Sequence, residues 1–387
     1  MSAFDVAIVG GGAIGVSIAF ELAAADLRVI VLDRQQPGME ASWAAAGMLS
    51  PAPDSPRDIP LAPLGRESLR LYPEFIAAVE DESGESASYA RDGALEIFAG
   101  PQGEAERDRK AAEYSLLDLA AEALPLTGAR AHEKSFTPDA TAALWLPQEA
   151  TIEPRLLMSA LLAAARNLGA EIRAGCAVTS LLSARNRCTG VVAGTEKIDA
   201  AHVVIAAGCF SAQLAGAAPP LARLLPTRPV RGQMLALRRD DFALSRVLRS
   251  AHGYLVPRRD GRIIAGSTKE EAGFEKRVTA AGIRKVLDAA IELCPALASA
   301  EIVETWSGLR PGTPDDLPIL GPTGIEGLLV ATGHYRNGIL LTPVTARLIR
   351  DWIVQGAAGF GEFDEAAFSP LRFDRAHSPR AGTVEAT

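Results

Sequence analysis

The sequence predicts an α/β fold in which a Rossmann-like domain with a mostly parallel sheet is interleaved with an α+β domain containing an antiparallel sheet. Three observations predict it. A short apolar run, a glycine-rich turn, a helical stretch and a β-branched run follow one another between Val6 and Asp33, the order of a βαβ unit. Val230–Arg238, Tyr254–Arg258 and Arg262–Ser267 are strand-like runs separated by loops, as in an antiparallel sheet. The chain has 387 residues, more than the ~100–200 usual for one domain.

The elements follow in order. Val6–Val9 and Arg28–Leu32 are parallel strands, with a helix over Ile14–Ala25 between them. Prolines between Pro51 and Asp58 stop regular structure; Glu67–Glu80 then reads as an amphipathic helix and Ala94–Ala99 as a strand. The charged run Glu104–Glu113 reads as a solvated helix face. Pro154 opens and Gly169 closes an alanine- and leucine-rich helix. Strands at Glu171–Arg173, Val178–Leu182 and His202–Ala206 take the chain back to the first sheet. After a helix near Ile283–Leu293 the chain returns once more at Glu304, adding a strand at Leu328–Ala331 and a helix starting at Gly338. The nucleotide domain is therefore expected at 1–50, 151–222 and 304–373, the second domain at 51–150 and 223–303, and a polar, mobile tail at 374–387.

Composition narrows the function. Hydrophobic residues make up 48%, charged residues 22% and aromatic residues 5%, the mixture of a globular protein. A net charge of −8 argues against nucleic acid as the main partner, because phosphates need a basic surface. An anionic substrate must then be held by local arginines. Cys176, Cys188, Cys209 and Cys294 form no CxxC pair and the five histidines are scattered, so no metal site is expected and the thiols read as reduced. Glycines and Asp5 interrupt the N-terminal apolar run, unlike a signal peptide, and no stretch of ~18 apolar residues suggests a membrane span. A cytoplasmic setting fits best.

Gly10, Gly12 and Gly15 fit GxGxxG. The first permits a tight turn, the second lets backbone approach a pyrophosphate and the third lets helix and strand pack closely. The helix beginning at Ala13 and Ile14 offers free N–H groups and a positive dipole end to phosphates. Asp33, at the end of the second strand, is placed for the adenosine ribose hydroxyls. NAD and FAD share this cradle. Three later segments favour FAD, since an extended cofactor is buried by returning chain: Glu40–Met48, His202–Gly208 and the run through His334 to Gly338.

EASWAAAGML at Glu40–Leu49, HGYLVPR at His252–Arg258, WSGLRPGTPDDLPILG at Trp306–Gly321 and GHYRNGILLTP at Gly333–Pro343 make the chain resemble the glycine oxidase branch of the D-amino-acid oxidase family over almost its whole length. The resemblance implies an FAD-binding and a substrate-binding domain, non-covalent FAD, and oxidation of glycine, sarcosine and small D-amino acids to the imine. It also implies O₂ reduced to hydrogen peroxide, iminoacetate supplied to the thiazole of thiamine, and a homo-oligomer, although no heptad or self-complementary patch stands out. Arg310 matches the family arginine that pairs with the substrate carboxylate, a task suited to a guanidinium fork, and Arg336 a second arginine near substrate and flavin. The alternatives are a structural ion pair for Arg310 and a loop contact for Arg336. Tyr254 matches a tyrosine at the substrate, His252 shares its strand face, and Met48 matches a position beside the flavin.

The glycine-rich motif and the resemblance together assign the cofactor to Gly10, Gly12, Ala13, Ile14, Gly15, Asp33, Arg34, Ala41, Ser42, Ala46, Gly47, Met48, Val178, Gly208 and Gly308. His334, Tyr335, Arg336, Asn337, Gly338, Ile339 and Leu340 complete that set, with the helix at Gly338 directing its positive end to the isoalloxazine. Lys269 departs from the family, which carries an apolar methionine there. Hydride transfer from the substrate Cα to the flavin needs no strong base, and no Ser/His/Asp spacing or carboxylate pair suggests one. The nearest alternatives are a D-amino-acid dehydrogenase and a sarcosine-type oxidase; relatives of the latter tether FAD through a cysteine in the segment equivalent to Gly308–Pro311, where this chain has none. A flavoprotein without turnover is the alternative of another class.

Overall fold

Strand residues Val6–Val9 and Val29–Leu32 are buried on both faces, as continuous valine and isoleucine runs in a parallel sheet must be. The computed structural model describes residues 4–53, 55–215, 219–357 and 364–374; apart from Asp374, the expected tail lies outside them. The first sheet has the order Ile319–Pro322, Leu328–Thr332, Glu196–Ile205, Phe4–Val9, Val29–Leu32, Glu171–Arg173. Along this order the pairings are parallel except for the first. Val9 pairs with Leu32 and Ile205, and Ile205 with Val330. Three separate stretches of chain thus end at one edge of the sheet, the position where open α/β sheets bind ligands. The helices Ala13–Ala23, Pro154–Asn167 and Thr342–Gln355 cover one face.

The second sheet runs Glu301–Gly312, Arg228–Arg238, Arg262–Gly266, Tyr254–Pro257, Val247–Arg249, Ala94–Ala99, Ala140–Leu146, Glu122–Leu124. Only the pair Val247–Arg249 with Ala94–Ala99 is parallel. The helices expected around Glu104–Glu113 and Ile283–Leu293 are present as Gly103–Leu116 and Ala280–Leu293. The first is not wholly a solvated face, because its Lys110 pairs with the buried Glu96.

Four further expectations need correction. The chain does not return to the first sheet at Glu304: Glu301–Gly312 pairs along its length with Arg228–Arg238. The true exit is the Pro314–Asp316 turn, where Asp316 adopts φ 62°, and the chain joins the first sheet at Ile319. The helix Ala62–Ser83, placed in the second domain, packs against Pro154–Asn167 and Thr342–Gln355. Its apolar face, including Leu64, Tyr72, Phe75 and Val79, fills the first sheet's core. The helix expected from Gly338 starts at Thr342, with Pro343 in its first turn, where a missing N–H costs nothing. The hairpin strands Arg187–Ala193 and Glu196–Ile205 extend further than the single strand expected at His202–Ala206.

Candidate functional site

A cavity of about 1040 Å³ lies between the two sheets, at the upper end of the usual volumes for small-molecule sites. One end is built by the glycine-rich turn. Gly10 has φ +112°, and a Cβ there would sit 2.5 Å from the Ala206 carbonyl oxygen; only glycine lets the ends of Phe4–Val9 and Glu196–Ile205 close here. A Cβ on Gly15 would collide with the Gly10 carbonyl oxygen, so Gly15 serves helix–strand packing and does not line the cavity. Gly12 caps the helix Ala13–Ala23 without a side-chain cap, leaving N–H groups directed at the cavity. Ser42 Oγ accepts one of them, from Ala13, at 2.9 Å.

Asp33 is fixed by backbone donors, with Gly11 N–H to Oδ2 at 2.7 Å and Gln35 N–H to Oδ1 at 2.9 Å. Each carboxylate oxygen keeps a lone pair for a hydroxyl donor. Arg34 lies 3.4 Å over the Phe210 ring and pairs with Glu40 at 2.9 Å. Ala41, Ala46, Gly47, Met48, Val178 and Gly208 line the walls. Gly308 does too, and a side chain on it would press against Ala44. An open helix N-terminus, a glycine cradle and an oriented carboxylate on one long cavity fit an extended dinucleotide cofactor.

The other end is built by the second sheet. Arg310 stands opposite Val230 in the ladder, and its guanidinium crosses Gly232, where a Cβ would collide with it. Nη2 donates to Ser267 Oγ at 2.6 Å and Nη1 to the Thr268 carbonyl at 3.1 Å. No carboxylate among the described residues pairs with it, so the structural ion-pair alternative does not hold. Burial pulls its pKa below the ordinary guanidinium value, with Tyr254 and Tyr335 acting in the opposite direction; the group stays a cation. Tyr254 lies opposite Gly266, whose missing side chain makes room for its ring, and its hydroxyl is 3.9 Å from Met234 Sδ.

The two C-terminal motifs meet through the Tyr335 N–H, which donates to the Pro311 carbonyl at 3.0 Å. Tyr335 is buried, with φ +49°, and its hydroxyl has no hydrogen-bond partner among the described residues. Arg336 lines the cavity and also pairs with the buried Asp58 at 3.4 Å, so the loop contact and the pocket position coexist. His334, Asn337, Gly338 and Ile339 line the same wall. Leu340 does not: it is buried in the core, and its carbonyl accepts from Ser68. His252 is misplaced by the strand-face argument, since the strand begins at Tyr254. It occupies a bend at the cavity rim, 3.2 Å from both Glu292 carboxylate oxygens.

Sequence reasoning missed Ser267 and Thr268 as the holders of Arg310, and Gly232 as its passage. It also missed a charged cluster on the cavity wall, in which Arg249 reaches Glu149 at 2.8 Å, Glu96 at 3.0 Å and Ser50 Oγ at 2.9 Å. These partners are far apart in the chain, and no local spacing signals them.

His334 is buried and shares a 3.0 Å hydrogen bond between Nε2 and Thr345 Oγ1. Burial lowers its pKa from 6.5 to about 3, so the ring is neutral in the working range. The unfolded chain binds this proton near pH 6.5 and the folded chain does not, so stability is full above pH 6.5 and falls towards pH 3, at about 1.4 kcal/mol per pH unit. Urea unfolding should show His334→Gln losing about 2 kcal/mol less than the parent between pH 6.5 and 5. Parallel curves would show that His334 is not the group responsible.

The model of the family described as "DAO: FAD dependent oxidoreductase" matches residues 5–352. The bifunctional protein ThiO/ThiG of Trichormus variabilis is 38% identical over 91% of this chain. The chain spans only 53% of that relative's length. The glycine oxidase of Pseudomonas putida is 34% identical over 95% of this chain and 98% of its own. The crystal structure of glycine oxidase from Geobacillus kaustophilus superposes with a TM-score of 0.88 at 31% identity, covering 95% of this chain and 98% of that one. The family model spans both motifs that build the cavity, and the chain therefore belongs to the DAO family of FAD-dependent oxidoreductases, with FAD as the cofactor that the glycine cradle, Asp33 and the long cavity fit.

Proposed function

We propose that the protein oxidises glycine, and with it sarcosine and small D-amino acids, to the imine, with O₂ as electron acceptor and hydrogen peroxide as product. The observation that carries this reading is Arg310, a guanidinium without a carboxylate partner among the described residues, in the same cavity as the FAD cradle. Ser267 and Thr268 hold one side of the fork, and its free N–H groups suit a small carboxylate through parallel charge-assisted bonds. That anchor fixes the position of Cα. When bound, FAD supplies the two-electron chemistry by taking the hydride that leaves Cα. The chain then needs to orient a neutral amine rather than provide a strong base. This reading is supported by His334, held neutral by burial, and by the cavity carboxylates Glu96 and Asp58, each already paired with a cation.

The expected FAD attachment is non-covalent. The cysteine lining the cavity is Cys209, buried at the nucleotide end, with burial pushing its thiol up to about 12, so it is a poor nucleophile. All four cysteines are free, in keeping with a cytoplasmic setting. No helix among the described residues is long and apolar enough to cross a membrane. Supply of iminoacetate for the thiazole of thiamine is supported by the likeness to the ThiO/ThiG protein. The test is a visible spectrum of the purified protein, with glycine added anaerobically and then air. Flavin bands should bleach and return with peroxide. Bands that persist with every small amino acid while FAD is bound would overturn the reading.

A further inference from the structure

We propose that Lys269 makes the substrate end a two-anion site, so that the substrates taken best are small amino acids or secondary amines carrying a second carboxylate. Among the described residues six cations line the cavity: Arg34, Lys110, Arg249, Lys269, Arg310 and Arg336. Arg34 meets Glu40, Lys110 and Arg249 meet Glu96, and Arg336 meets Asp58. Arg310 and Lys269 meet no carboxylate among the described residues.

These two unpartnered cations are neighbours. The Thr268 carbonyl that accepts from Arg310 Nη1 immediately precedes Lys269, and the Lys269 ammonium lies 5.3 Å from the Tyr335 ring centroid. Arg310 lines the same end of the cavity as Tyr335 and Lys269.

The carboxylates nearest in sequence are committed elsewhere. Glu270 accepts from Arg231 Nε at 3.1 Å and Gln233 Nε2 at 2.7 Å, and Glu271 pairs with Arg228. A lysine kept clear of adjacent acids, facing a cavity and resting against an aromatic ring, favours an anion brought by the ligand. The α-carboxylate occupies Arg310, and a second carboxylate a few bonds away reaches Lys269. The inference rests on Arg310 being the α-carboxylate clamp.

Specificity is a ratio of kcat/KM values, so matched pairs test the proposal on the FAD-loaded enzyme. Iminodiacetate is compared with sarcosine to place the second carboxylate on the nitrogen side, and D-aspartate with D-alanine to place it on the Cα side. In at least one pair the dicarboxylate should be preferred by about tenfold or more. Lys269→Met should abolish that preference by lowering kcat/KM for the acid more than for its neutral partner. Lys269→Gln is the second variant, and bound flavin is measured in each. A wild-type ratio below one in both pairs overturns the proposal whether or not the variants fold, and so does a ratio unchanged by removing the ammonium. Absence of turnover with glycine and with all four compounds would instead remove the amine oxidase reading on which the proposal stands.

Discussion

Arg310→Ala should lower kcat/KM for glycine by about 10³-fold while leaving the bound-flavin spectrum intact. The guanidinium is the partner of a charge that must be desolvated, and removing one member of such a pair costs ~3–5 kcal/mol, or about 10²–10⁴-fold. The side chain projects from the second sheet, whereas the glycine cradle belongs to the first, so FAD binding should survive. Saturation kinetics divide the loss: a rise in KM alone reports ground-state binding, and a fall in kcat reports misplacement of Cα. Arg310→Lys should recover only part, because an ammonium cannot make two parallel bonds. Gly232→Ala should move in the same direction, since its Cβ would displace the guanidinium. Unchanged glycine kinetics in Arg310→Ala would remove it from the carboxylate role.

Gly10→Val should yield protein without FAD. The φ of +112° is costly for any side chain, and a Cβ would meet the Ala206 carbonyl at 2.5 Å, with the backbone of Ala207 also close. A backbone carbonyl in a parallel ladder cannot yield as a flexible side chain can. Strain of ~1–3 kcal/mol at the residue adds to separation of the strands that shape the cradle. The absorbance ratio at 450 and 280 nm, with the midpoint of thermal unfolding, checks this. A variant that purifies with stoichiometric FAD and an unchanged midpoint would refute the cradle at Gly10.

Much of the nucleotide end was legible because its signals are local. Gly10, Gly12 and Asp33 lie within one βαβ unit, and each residue type answers to one geometric demand. The wall from His334 to Ile339 was legible through the resemblance, and Leu340 was one residue too far because the turn there directs side chains into the core. Alanine-rich Ala140–Leu146 went unrecognised as a strand: its composition favours helix, and only pairing with Ala94–Ala99 and Glu122–Leu124 makes it extended. The misreading of Glu304 had the same origin. Sheet membership is a long-range property, and nothing within Glu301–Gly312 tells which sheet its backbone will join. The strand-face placement of His252 failed for a smaller reason, since alternation was extended beyond the residue where the strand begins, although His252 does line the cavity.

The interleaved first sheet has a consequence for biogenesis. Phe4–Val9 is flanked by strands drawn from residues 29–32 and 196–205, and the latter needs 328–332 beside it. Such distant pairings give a high contact order, and loop closure must be met before the strands reward it. The ribosome releases Gly10 long before Ala206, and Ala206 long before the His334 turn. The complete cradle therefore forms only once the last third of the chain has emerged, and until then Glu196–Ile205 lacks the partner strand Leu328–Thr332 and presents an open, β-branched edge.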